Sequence, residues 1–373
     1  MKSLFTLIFV ILMFGSCDNG TTSRESVNNL YARRFEIKDY DNFSIARIID
    51  PWQKSQGRKM EYILKEKNQK IPDSLDNIPV IELPVKRVVV FSTTHIGFIS
   101  ALGHQNTIMG VSGSQYVCDS LVRKGIENKE VYEIGFSPNV NYERILSLSP
   151  DLVFLYGIES SVAGIASRLQ STGIPVILIA EYLENNPLGK LEWIKVFGKI
   201  YQEELRADSI FNTAREEYEK LVSVTDEIDF KPKVLVGLPW KDTWYMSGGN
   251  SVTSRYITDA GGRYLWEDNK STEFIPLSLE AAMMKAIEAD VWINTGSARS
   301  LEEIANRDSR FQTLNVFQAG NLYNNDLLFY PTGGNDFWEK GVVEPHVILK
   351  DMIKIFHPER NDSHDFVYYR KLE

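Results

Sequence analysis

Apolar residues recur three or four apart at Leu188, Leu191, Ile194, Phe197 and Tyr201, and again at Ile210, Phe211, Ala214, Tyr218 and Leu221. Between them stand Glu203, Glu204, Arg206, Asp208, Arg215, Glu216, Glu217 and Lys220, so the outer face of the predicted helix is solvated. Asn186 supplies an N-cap, and Pro187 suits the first helical position, where a missing N–H costs nothing. The stretch runs over residues 186–229, with Gly198 as its one evident weak point. Its second run alone, at about 1.5 Å per residue, reaches about 35–40 Å, the breadth of a small domain. Strands alternate with helices on both sides of it. The pattern therefore predicts a single helical spine between two lobes.

In the first half, residues 88–91 read as a buried strand, and Ser92-Thr93-Thr94 cap a helix that Gly103 ends. Strands follow at 109–111, 152–156 and 176–180, with helices at 141–148 and 162–170. In the second half, strands at 234–237, 291–294 and 321–323 alternate with helices at 251–260, 278–289, 301–305 and 341–356. Residues 88–103 answer 234–261, and 142–156 answer 279–294. Such βαβ repetition predicts an α/β fold, with two Rossmann-like lobes of mostly parallel sheet. Before the first lobe, 31–37 and 43–49 alternate apolar and polar residues around Asp39-Tyr40-Asp41, a β-hairpin extension that 60–65 enlarges by a third strand. The expected boundaries are 31–79 for this extension, 80–185 and 230–357 for the lobes, and 358–373 for a polar, loosely specified tail.

Met1-Lys2 and the apolar run 4–14 have the layout of a secretory signal too short to span a bilayer. The run ends at Gly15-Ser16-Cys17, which resembles the lipobox of bacterial lipoproteins. That resemblance implies removal of the segment before Cys17, acylation of Cys17 as a membrane anchor, and a tether over 18–30. Cys118 is then the only thiol left, so no intramolecular disulfide is expected. A length of 373 residues suits two cores, and a net charge of -9 without basic blocks argues against nucleic-acid partners. No glycine-rich phosphate motif is present, and the histidines show no metal-ligand spacing, so no cofactor and no metal site are expected.

Open α/β sheets bind ligands at the C-terminal ends of their strands. That placement singles out Thr94, His95, Tyr116, Phe136, Tyr156, Trp240, Trp244, Tyr245, Phe274 and Tyr330 as ligand contacts. Trp240, Trp244 and Tyr245 fall in a predicted loop over 239–246 with neither helical nor strand period. Stacking on a flat ligand is the sharper reading of them, and a folded-over aromatic cluster the plainer one.

Lys86-Arg87-Val88-Val89-Val90, Ala101-Leu102-Gly103 and Gly110-Val111 resemble the start of a periplasmic-binding domain. Gly135, Asn141, Glu143-Arg144-Ile145-Leu146, Pro150-Asp151-Leu152-Val153, the spine and Ala260-Gly261-Gly262 continue the pattern. The chain is similar, over about residues 80–357, to substrate-binding lipoproteins of ABC importers for iron-siderophores, haem and cobalamin. The resemblance implies an exported, lipid-anchored monomer without enzymatic activity, capturing such a ligand between rigid lobes and delivering it to a permease and its ATPase. Glu143 and Glu280, near the starts of equivalent helices, would dock on the permease; a plain helix-dipole role is the alternative. Two other functions stay open at this point, an enzyme on a similar two-lobed scaffold and a lipoprotein that scaffolds a surface complex.

Overall fold

The computed structural model describes residues 29–158, 160–360 and 363–373; the apolar run, Cys17 and the tether up to residue 28 lie outside the described residues. Strands β1 (Phe35–Asp39), β2 (Ser44–Ile49) and β3 (Lys59–Glu66) form an antiparallel meander, and β4 (Val80–Leu83) pairs parallel to β3. The first strand starts at Phe35 rather than residue 31. Residues 30–34 give their N–H groups to buried carboxylates instead of a ladder: Leu30, Tyr31 and Ala32 to Glu192, Arg33 and Arg34 to Glu184. Residues 80–83, expected in the first lobe, belong to this sheet.

The first lobe holds β5 (Val88–Val90), β6 (Ile108–Val111), β7 (Tyr132–Glu133), β8 (Leu152–Leu155) and β9 (Val176–Leu178), all parallel in the order β7-β6-β5-β8-β9. The second lobe holds β10 (Lys233–Val236), a ribbon of β11 (Thr243–Met246) with β13 (Ile275–Ser278), β12 (Arg263–Tyr264), β14 (Val291–Ile293), β15 (Leu322–Asn324) and β16 (Arg370–Lys371). Its main sheet runs β12-β10-β14-β15-β16, with only β16 antiparallel. The runs β6-β5-β8-β9 and β12-β10-β14-β15 share one order, so the repeat read from the sequence is a repeat of topology. Each sheet then gains one strand, at opposite edges.

Three expectations are corrected here. The second half of the 239–246 loop is strand: Trp244 points inward at 0% exposure, between Trp292 and Phe311, and its Nε1–H donates to the Val236 carbonyl at 3.1 Å. The tail is not loosely specified. Tyr368, Tyr369 and Leu372 are buried, and the N–H groups of Tyr368 and Tyr369 donate to the buried Asp351 carboxylate at 2.6 and 2.9 Å. The spine is three helices, Pro187–Glu192, Ile194–Tyr201 and Glu204–Thr225, capped by the Asn186 side chain as expected. Its break falls at Gln202, whose φ of 58° reverses the chain, and not at Gly198. A Cβ at Gly198 would lie 2.5 Å from that of Ala207, so the glycine lets two helices touch.

The spine is rooted in the first lobe. Phe197 stacks on Phe98 at 4.9 Å and on Phe154 at 4.8 Å, all three fully buried. Burying each such ring contributes about 1.5–3 kcal/mol, enough to fix the helix against the sheet.

Candidate functional site

Between β5 and β8 the chain leaves the sheet in opposite directions, which opens a crevice beyond the strand ends. A cavity of about 680 Å³ occupies that place. Its walls are the turns that follow four parallel strands: Phe91 to Thr93, Ser112 to Tyr116, Phe136 with Ser137, and Tyr156 to Ile158. Gly333, Asn335 and Trp338 reach it from the second half of the chain.

Local chemistry holds each wall. Ser92 caps the Thr93–Ala101 helix by accepting from the Thr94 N–H at 3.3 Å, and the Thr94 hydroxyl donates to buried Glu181 at 2.6 Å. The Glu133 carboxylate gathers the N–H groups of Gly113, Ser114 and Gly135 at 3.1, 2.5 and 2.8 Å, tying the β6 and β7 turns together. Burial pushes that carboxyl up, but the bonds from Ser114 and Gly113 outweigh it, and the group sits below the usual carboxylate range. Gly113 has a φ of 74°, and a Cβ there would lie 2.8 Å from the Tyr116 ring.

The lining is aromatic and hydroxylic. Tyr116, Phe136, Ile158 and Trp338 stand 51%, 57%, 53% and 56% exposed around one cavity. Its polar side chains are hydroxyls and the amide of Asn335, among the residues that border it. Burial, and then the nearby Glu181, raise the Tyr156 phenol, so Tyr156 meets a ligand as a hydrogen-bond donor.

The sequence pattern contains no sign of the segment that brings Trp338. After β15 the chain crosses to the first lobe, and Glu339 accepts from the N–H groups of Cys118 at 2.8 Å and Asp119 at 2.5 Å. A Cβ at Gly97 would lie 2.1 Å from the Glu339 carbonyl oxygen, so the Thr93–Ala101 helix and this strap touch backbone to backbone. The Arg123 guanidinium covers the Tyr330 ring at 4.9 Å. On the other side, Phe337 packs against Tyr368 and Tyr369 with ring centroids 6.0 and 5.8 Å away. Potential ligand atoms of Cys118, Asp336 and Glu339 lie within 4.8 Å of one another. Burial raises all three groups above their ordinary ranges.

The expected contacts therefore divide. Tyr116, Phe136 and Tyr156 share the main cavity. Phe274 borders a neighbouring cavity of about 290 Å³, Thr94 a small inter-lobe one of about 70 Å³, and Tyr330 another of about 650 Å³ beside the strap. Trp240 and Tyr245 are exposed on the β11 ribbon and border none of these. Trp244 is core, as described above. His95 is also core: it is 0% exposed among Phe154, Tyr156 and Phe197, and burial lowers it to about 3, so it is neutral. Its place one turn into a cleft-facing helix suggested contact, but the ring points into the lobe.

Glu143 and Glu280 occupy identical helical positions. Asn141 caps one helix by accepting from the Arg144 N–H, and Ser278 caps the other by accepting from the Ala281 N–H. Each glutamate is the second residue after its cap and is exposed; Glu280 also pairs with Arg310 at 3.3 Å. Among the described residues no helix is long and apolar enough to cross a membrane.

Comparison with known proteins agrees with this geometry. The profile of a family described as periplasmic binding protein matches residues 88–325. An uncharacterized lipoprotein of Methanocaldococcus jannaschii is 26% identical over 370 residues, covering 91% of this chain and 84% of the relative. A periplasmic haem-binding protein of Pseudomonas aeruginosa superimposes with a TM-score of 0.56 at 17% identity, covering 74% of this chain and 93% of that one. An ABC-type Fe3+-hydroxamate transport protein of Saccharomonospora viridis gives 0.54 at 15% identity, covering 74% and 94%. At such identities the two structures establish the shared fold.

Proposed function

The chain belongs to the periplasmic binding protein family, and on that premise we propose that it is the substrate-binding component of an ABC importer for a metal chelate. The ligand class is an iron-siderophore, haem or cobalamin, taken up in the cavity between β5 and β8. One observation carries the reading: four large apolar side chains are left exposed around a single cavity at the strand ends, among hydroxyls. Leaving such surface in water is unfavourable by about 25 cal/mol per Å², so it suits a broad ligand face. The names of the haem and Fe3+-hydroxamate neighbours support the same class.

Delivery to a permease uses Glu143 and Glu280, one exposed carboxylate on each lobe at the same helical position. Rim charges of this kind set orientation and on-rate. Cys17 anchors the exported protein to a membrane as a lipoprotein, and it acts as a monomer. Native mass spectrometry of protein purified from its own cells tests the reading. A co-purifying iron or cobalt chelate is expected; a bound sugar or amino acid would overturn it.

A further inference from the structure

We infer that the β1–β4 extension walls a second chamber of the ligand cleft, and that this chamber receives an amide-bearing arm of the chelate. The inference rests on the reading of the main cavity as the chelate site. The family match begins at residue 88, so the extension lies outside it. Yet it is built into the first lobe. Trp52, 7% exposed, packs in the same core as Phe91 and Leu155, and the Gln53 N–H donates to the Ile158 carbonyl at 3.2 Å.

Ile158 is the joint. It borders both the main cavity and the neighbouring one of about 290 Å³. That second chamber has three sources: Gln53 and Gln56 from the β2–β3 turn, Asn185 from the first lobe, and Thr253 and Phe274 from the second. A ligand seated on Ile158 therefore meets the extension as soon as it carries an arm.

The chamber's chemistry selects the arm. Arg34 is paired with Asp50 at 3.5 Å, and Glu184 is occupied by the Arg33 and Arg34 N–H groups and the Trp193 indole N–H. Lys54 and Glu273 stand at the exposed rim with opposite charges. The rest of the lining is rich in carboxamides and hydroxyls, with Gln53, Ser251 and Thr253 half-buried and Gln56 and Asn185 exposed, each able to give and accept a hydrogen bond. Such a wall matches a neutral amide. Its half-buried cation, Arg34, is already paired with Asp50, so haem propionates would have to compete with that carboxylate for it. Phe274, 68% exposed, covers the apolar part of the arm. Corrinoids with peripheral carboxamides and ferric hydroxamates with amide-linked backbones both fit this description.

Titration with cyanocobalamin, ferrioxamine B and haemin, by tryptophan fluorescence, tests it on the purified protein. One of the two amide-bearing probes is expected to bind. Gln53→Ala with Gln56→Ala should weaken it at least tenfold without moving the melting point, and which probe responds separates corrinoid from hydroxamate. If the double variant fails to fold, Phe274→Ala, whose ring is exposed, reads the same contact. Equal affinity for variant and parent, or binding of haemin alone, would overturn the second chamber while leaving the chelate reading intact. Binding of none of the three would overturn both.

Discussion

The carboxylate of Glu339 accepts a hydrogen bond from the backbone N–H of Cys118, 221 positions earlier, at 2.8 Å. This bond fastens a segment of the second half onto the first lobe and so completes the cavity with Trp338. Burial raises the Glu339 carboxyl to about 8; the bonds from Cys118 and Asp119 oppose this, and Asp336 and Asp119 add to it. The folded form thus holds a proton that the unfolded chain loses above about 4.5. Stability should therefore fall as pH rises from about 4.5 to about 8. Melting points measured across that range should show a shallower fall in Glu339→Gln, which also loses about 1 kcal/mol for the missing acceptor. A parallel pair of curves would show that Glu339 is not the titrating group; Glu184, raised to about 7, remains in both proteins.

Gly97 lies under the same strap. Gly97→Ala places a methyl 2.1 Å from the Glu339 carbonyl oxygen, and relief requires backbone movement. The expected cost is about 1–3 kcal/mol. Because the strap carries Asn335 and Trp338, affinity for the bound chelate should drop along with the melting point. Unchanged affinity would mean that the strap does not shape the site.

Two tryptophans separate core from site. Trp244→Ala should cost about 3–5 kcal/mol of stability and leave the Kd of the folded protein nearly unchanged. Trp338→Ala should do the reverse, with the Kd ten- to a hundredfold weaker and the melting point held. Calorimetric melting and ligand titration on the same samples distinguish these outcomes.

Reversing both Glu143 and Glu280 to lysine should abolish uptake in cells while leaving ligand affinity in solution unchanged. Normal uptake by the double variant would confine the two carboxylates to their helix dipoles, worth about 0.3–1 kcal/mol each.

Cys17→Ser should move the protein from the membrane fraction to the soluble exported fraction. Retention on the membrane would count against acylation at that residue.

Local signals were legible in the sequence. Ser92 and Asn186 were expected as caps, and each accepts the N–H two residues on, because a cap and its partner lie within one turn. The parallel strands were equally plain as short buried apolar runs. What was illegible depends on distant partners. Trp244 seemed aperiodic because its partner strand, with Leu277 opposite it, lies about thirty residues away and contains Pro276. Gly198 read as a weak point, since sequence does not distinguish a glycine that loosens a helix from one that admits Ala207. Trp338 was missed entirely: nothing near it announces that Glu339 will find Cys118. His95 had the right address and the wrong direction.

The strap also sets an order of assembly. Every turn that the first lobe gives to the cavity precedes Gln170, yet the wall bearing Trp338 comes only after β15. A chain made from its N-terminus would expose the Gly97 face and the Cys118 backbone until Glu339 had followed. The pocket is therefore finished only once Glu339 is in place, and a truncation before Glu339 would leave the first lobe intact in sequence but without a finished pocket.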